Sequence, residues 1–318
     1  MSDARSLHSS PTSGASATRA RKAERIRMLK DLDSAKDITE QVTRILVLAE
    51  AGERLPTPVD DIIEAAGLSK SDEIVVSESM IRRAPASMRR LLRSAGRKIS
   101  GVLDRRERVI QVADISTTGR KRFVACHEVA HDIFQWQSDL AVLGDNHLTL
   151  SPQVTSLFER EANQGAAEIL FQQDLLKRIA RDYPVEIATP VELAKLFGAS
   201  IHATFRRWVE EIDAPVCGLV LDTEISNGRR KRYEQVTSSE WRERFGPKVF
   251  PGSMSKESYP FVSALEINGT LPMKNSDEET ELVQYETLET PYRRFVLLWL
   301  PTTRSLIARR RRRATIVS

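Results

Sequence analysis

Ile38, Val42, Ile45 and Leu46, followed by Leu48 and Ala49, recur at the three-to-four-residue spacing of one helical face. The stretch "LPTPVDDIIEAAGLSK" then carries a Pro-led entry, a short apolar-periodic run and a stop at Gly67, which predicts a second, short helix. "EIVVSES" and "RERVIQVAD" are rich in β-branched residues and predict strands, with a basic helical stretch between them around residues 87–92. Residues 123–136 lack Pro and Gly. Phe123, Ala130 and Phe134 lie on one stripe and Val129, Ile133 and Trp136 on another, the pattern of a largely buried helix. In "LFEREANQGAAEILFQQDLL", Phe158, Ala162, Ala166, Ile169 and Leu170 form an apolar stripe. Glu159 and Asn163 border that stripe, and Arg160, Glu161, Gln164, Glu168 and Gln172 spread over the opposite side.

After Asp213 the texture changes. "APVCGLVLDTE" alternates Cys217, Leu219 and Leu221 on one face, "RRKRYEQVTSS" reads as an exposed strand, and "RRFVLLWLPTT" as a buried strand closed by Pro301, with Gly-, Pro- and Ser-rich loops between. The expected organisation is α+β. A basic arm too poor in large apolar residues to order occupies residues 1–36, turning helical near residues 23–32. A mainly helical domain with a small sheet spans 37–212, a smaller sheet-containing module 213–307, and a basic tail 308–318.

At 318 residues the chain can bury a sizeable core, and 41% hydrophobic with 29% charged content is ordinary for a globular protein. No run approaches the roughly 18 apolar residues of a membrane span, and the N-terminal stretch lacks the apolar segment of a secretory signal, so a cytoplasmic location is expected. Only Cys126 and Cys217 are present, which excludes a disulfide framework or a Cys-rich zinc module; any metal must be held by His, Asp and Glu. The net charge of +4 is unevenly spread, with basic runs at 19–30, 228–232 and 309–313. The plain reading of these runs is solvated surface; the sharper one is weak attraction to a polyanion.

In "RFVACHEVAHDIF", His127 and His131 stand four apart in an apolar helix, so their rings project the same way about 5–6 Å apart. Two neutral imidazoles at that spacing can share one tetrahedral zinc ion, which repays a desolvation that an apolar interior alone would not. Glu128, rotated about 100° from His127, stays off the metal but close enough to take a proton from a water on it. The arrangement is H-E-x-x-H, the helix of zinc peptidases. Such a site needs a third protein ligand, and the 158–170 stripe presents one carboxylate beside it, Glu159.

The Glu-x-x-Ala-Asn run at Glu159 to Asn163 resembles the helix of gluzincins, in which the Glu ligates zinc and the residue four later braces a ligating histidine. That resemblance implies Glu159 as third ligand and Asn163 as its support. More narrowly, the order of "LPTPVDDIIEAAGL", "GVLDRRERVIQVAD", "RKRFVACHEVAHDIF", "EREANQGAAEIL" and "VELAKLFGASIHATFRRWVEE" over residues 38–212 is similar to the ImmA/IrrE family of metallo-endopeptidases. This chain departs at Ala130, where a glycine is usual, at Gly165, where Phe is common, and at "FQQ" after Leu170, where Met-Pro is common. The resemblance implies a zincin-type domain, a Zn2+ cofactor and, as substrate, a helix-turn-helix repressor of a mobile element or stress regulon. The competing class is a non-proteolytic protein that keeps the fold and docks to a repressor or to DNA.

Other residues take plainer readings. "TPVELAKLFGASIHATFRRWVEE", with Gly198 in the turn and Arg206 and Arg207 on its second helix, resembles a DNA-binding helix pair but reads better as packing. Cys126 reads as a small buried hydrophobe. His147 lies in a loop between the two site helices, where an oxyanion role competes with a local hydrogen bond, and His202 reads as structural or surface.

Overall fold

A computed structural model of the chain describes residues 34–71, 101–112, 117–137, 152–223 and 226–301. The expected strand "EIVVSES", the helical stretch at 87–92, His147 and the two terminal basic runs lie outside those residues. The order is α1 (Ala35–Leu48), α2 (Val59–Ala65), β1 (Ser69–Ser71), β2 (Gly101–Asp104), β3 (Val109–Val112), α3 (Thr118–Ile133), α4 (Pro152–Leu170), α5 (Leu175–Ala180), α6 (Thr189–Phe197) and α7 (Ile201–Glu211). There follow β4 (Val216–Leu221), β5 (Arg229–Thr237), α8 (Ser239–Phe245), β6 (Ser253–Ser255), a 3-10 turn (Pro260–Val262), β7 (Asn268–Lys274), β8 (Thr280–Glu289) and β9 (Arg294–Trp299). The α+β expectation holds. Helix α1 begins at Ala35, just inside the expected arm, and buries Ile38, Val42, Ile45 and Leu46 while Leu48 faces out.

The first core joins α1, α2, the inner faces of α3 and α4, and a three-stranded sheet of order β1-β3-β2. Its strands are short, and β2, antiparallel to β3, lies along α3. The chain departure at "FQQ" has a structural use here. Gln172, in a left-handed turn after α4, accepts from the Glu53 N–H at 2.8 Å and donates to the Arg54 carbonyl at 2.8 Å, tying the end of α4 to the α1–α2 loop.

The second sheet has six antiparallel strands in the order β6-β5-β4-β9-β8-β7. Its central strands bury both faces. Val216 and Val220 of β4 with Phe295, Leu297 and Trp299 of β9 meet Phe205 and Trp208 of α7, whereas Cys217, Leu219 and Leu221 meet Trp241, Phe245 and Phe261 on the other side. Helices α6 and α7 therefore pack on the sheet, and Arg206 and Arg207 are paired with Glu210 and Glu211 instead of standing free for a nucleic-acid groove. Two features differ from the sequence expectation. Strands β7 and β8 form a long hairpin where the pattern predicts loops, and Arg230 and Arg294, each only 2% exposed, point into the second core. Arg294 donates to the carbonyls of Phe261, Ser263 and Glu266 and to the Glu289 carboxylate; Arg230 donates to those of Val262, Asp222 and Thr223. A buried guanidinium survives when carbonyls and a carboxylate meet its donors, as they do here.

Candidate metal centre

Helix α3 starts at Thr117, whose hydroxyl accepts from the Arg120 N–H, and runs to Ile133, with Ala125, Cys126, Val129 and Ala130 buried. Burial pushes the Cys126 thiol up to about 12, so it packs as a hydrophobe and has no thiolate to offer. Arg122 donates to the Thr57 carbonyl, and from the β2–β3 hairpin Arg105 donates to the His131 carbonyl at 2.8 Å. Arg108 holds Asp132 by two bonds of 2.6 and 3.0 Å. The last turn of α3 is thus anchored from outside the helix.

On that turn His127 and His131 face each other, Nε2 to Nε2, at 3.1 Å. Glu159 of α4 approaches them at 3.4 Å and 3.6 Å with its two carboxylate oxygens. All three ligand-type atoms lie within 4.8 Å of one another, and this is a group able to hold a metal ion among the described residues. A tetrahedral zinc with bonds of about 2.0–2.2 Å sets its ligand atoms roughly 3.3–3.5 Å apart, so the set fits zinc in donor type and in spacing. The two imidazoles hold the Glu159 carboxyl below the usual carboxylate range. Burial alone would lower His131, but hydrogen bonds to Glu159 and Gln137 outweigh it and leave its pKa raised.

Glu128 sits next to the pair but turns toward β2. Burial raises its carboxyl above the ordinary range, opposed by His127, His131 and a backbone hydrogen bond from Leu103. The close approach is possible only because residue 101 has no side chain: a Cβ there would fall 2.4 Å from Val124 Cγ1 and 2.8 Å from Glu128 Oε1. Glu159, by contrast, is 55% exposed.

Two expectations about α4 need correction. Asn163, expected to brace a histidine, is exposed, and among the described hydrogen bonds none joins it to either imidazole. Glu161, placed on the polar side by periodicity, is only 5% exposed. The turn after α3 explains both: residues 135–137 fold back over α4, and Gln137 Oε1 takes the His131 Nδ1 position at 2.8 Å. Trp136 and Gln137 then donate to Glu161 at 3.0 and 2.9 Å. A wheel drawn for α4 alone cannot see that lid; a Trp and a Gln directly after an H-E-x-x-H helix were the available signal.

Compared with known families, residues 88–208 match the model described as Peptidase_M78, IrrE N-terminal-like domain. Among solved structures, a Mycobacterium tuberculosis transcriptional regulator superposes with a TM-score of 0.51 at 14% identity, covering 85% of this chain and 90% of that chain, a likeness of fold. None of the curated proteins matches significantly. No helix among the described residues is long and apolar enough to cross a membrane.

Proposed function

Since residues 88–208 are an IrrE N-terminal-like, Peptidase_M78 domain, we propose that the chain is a zinc-dependent endopeptidase whose substrate is a protein, a helix-turn-helix transcriptional repressor. The observation that carries this reading is the convergence of His127, His131 and Glu159 from two helices at zinc-ligand spacing. Those three residues would hold the ion. Zinc, when bound, is a Lewis acid that polarises a peptide carbonyl and makes water acidic enough to lose a proton near neutral pH.

Glu128 is the general base and then the acid: it takes the proton of the attacking water and delivers it to the leaving amine. Its burial beside β2 makes it a stronger base than a solvated carboxylate, and the Leu103 N–H fixes its position. A protein that only docks to a repressor has no use for a buried carboxylate there, which favours the enzyme. The catalytic residues fall in a domain at 37–212, followed by the sheet module at 213–307, flanked by the 1–36 arm and the 308–318 tail, in a cytoplasmic protein. The test is incubation of the purified, zinc-loaded chain with the helix-turn-helix regulator encoded beside its gene. Cleavage should appear with the parent and vanish in Glu128→Gln while that variant still holds about one zinc; an active Glu128→Gln protein would refute the role.

A further inference from the structure

The bonds around Gln137 leave no freedom in the direction of its amide. Glu161 is the acceptor of two donors, Trp136 Nε1 at 3.0 Å and Gln137 Nε2 at 2.9 Å, and an indole N–H can only donate. The Phe158 carbonyl, 3.4 Å from the same Gln137 Nε2, is also only an acceptor. Both neighbours on that side therefore require the NH2 end of the amide. The carbonyl end is left for His131, whose Nδ1 lies 2.8 Å away, so His131 must carry a proton on Nδ1, which makes Nε2, on the side of His127 and Glu159, the nitrogen available to a metal ion.

We propose that Gln137, oriented by Glu161, is a positioning residue that selects the metal-binding tautomer of His131. The chain of bonds runs Trp136 to Glu161, Gln137 to Glu161, and His131 to Gln137, and each member except His131 has one possible role. Gln137 is 2% exposed, so its oxygen meets Nδ1 away from bulk solvent. The neutral imidazole has two tautomers of similar free energy in water, and a single buried acceptor decides between them. Neither Gln137 nor Glu161 touches the proposed ion; they act through His131 alone.

The reading of the metal as zinc is needed only for one arm of the test. In the metal-free protein at pH 8, long-range proton–nitrogen NMR of the imidazoles should show His131 with its proton on Nδ1. Gln137→Met, which keeps the volume and removes the acceptor, should move that proton to Nε2 or mix the two forms. Glu161→Gln, which keeps an acceptor, should preserve the parent tautomer. By competition with a chromophoric chelator, Gln137→Met should weaken zinc binding about 10- to 100-fold, the ordinary effect of an outer-shell partner, and Glu161→Gln less. A parent His131 protonated on Nε2, or a Gln137→Met protein with unchanged tautomer and zinc affinity, would overturn the proposal. If Gln137→Met does not fold, the parent spectrum alone still decides. A parent with the expected tautomer that binds no zinc would instead count against the endopeptidase reading.

Discussion

Gly165→Ala is a substitution on which two rules disagree in sign. In the interior of α4, replacing Gly by Ala should stabilise the helix by about 1 kcal/mol through backbone entropy. The neighbours say otherwise: a Cβ at residue 165 would lie 2.6 Å from Phe134 Cζ, 2.9 Å from Ala130 Cβ and 3.0 Å from Phe134 Cε2. Carbon atoms rest near 3.5–4.0 Å, so the Phe134 ring must withdraw by roughly 1 Å. It has nowhere to go, being fully buried and stacked on Trp136 at 4.7 Å between ring centres. Overpacking of this kind costs about 1–3 kcal/mol, leaving a net loss of up to about 2 kcal/mol after the helix gain. Tm should fall by up to about 8 °C. Urea unfolding of the metal-free protein, followed by tryptophan fluorescence, measures this, and the double variant with Phe134→Leu should recover part of the loss. A Gly165→Ala protein more stable than the parent by about 1 kcal/mol would show that α3 and α4 do not approach as closely as described. The same contact places the Phe134 ring and Ala130 against Gly165 where α3 and α4 meet.

Further outcomes are expected. Glu159→Ala should lower zinc affinity by more than the roughly 100-fold ceiling of an outer-shell loss, because only two imidazoles remain; metal titration checks it. Hydrogen bonding to His202 at 2.6 Å holds the Glu234 carboxyl below its ordinary range, so this pair, which joins α7 to β5, stabilises the fold above the ordinary carboxylate range and loses its effect as the pH falls through the lowered value. Glu234→Gln should therefore be less stable than the parent at pH 7, and the two unfolding curves should converge as the pH drops well below about 4.3. Arg294→Met should cost about 3 kcal/mol, since it strands the carbonyls of Phe261, Ser263 and Glu266 in the second core; an unchanged urea midpoint would show that those groups find other donors.

The meeting of His127 and His131 is legible because helical geometry is local: four residues bring two rings together whatever surrounds them. Glu159 does face the two rings, but from a half-exposed position that the stripe of α4 does not show. The alternation of Cys217, Leu219 and Leu221 placed β4 correctly on its core face. The misplacements share a cause. Glu161 was assigned to solvent because a single helix shows one apolar stripe, yet the Trp136–Gln137 turn covers its polar side as well. Arg230 and Arg294 look like surface residues in sequence, and β7 with its Pro272 looks like a loop.

Periodicity and residue chemistry are properties of one helix at a time, and they bring His127 and His131 together on one face of α3. How these side chains are held depends on contacts between elements. The distance between α3 and α4 depends on Phe134, Ala130 and Gly165 meeting across the two helices, the burial of Glu128 depends on a bare backbone at Gly101, and the Nδ1 partner of His131 depends on a turn folding back over a helix that begins 15 residues after it. Such contacts join residues distant in the chain, and their free energy depends on donors, acceptors and volumes that become neighbours only after the core has closed.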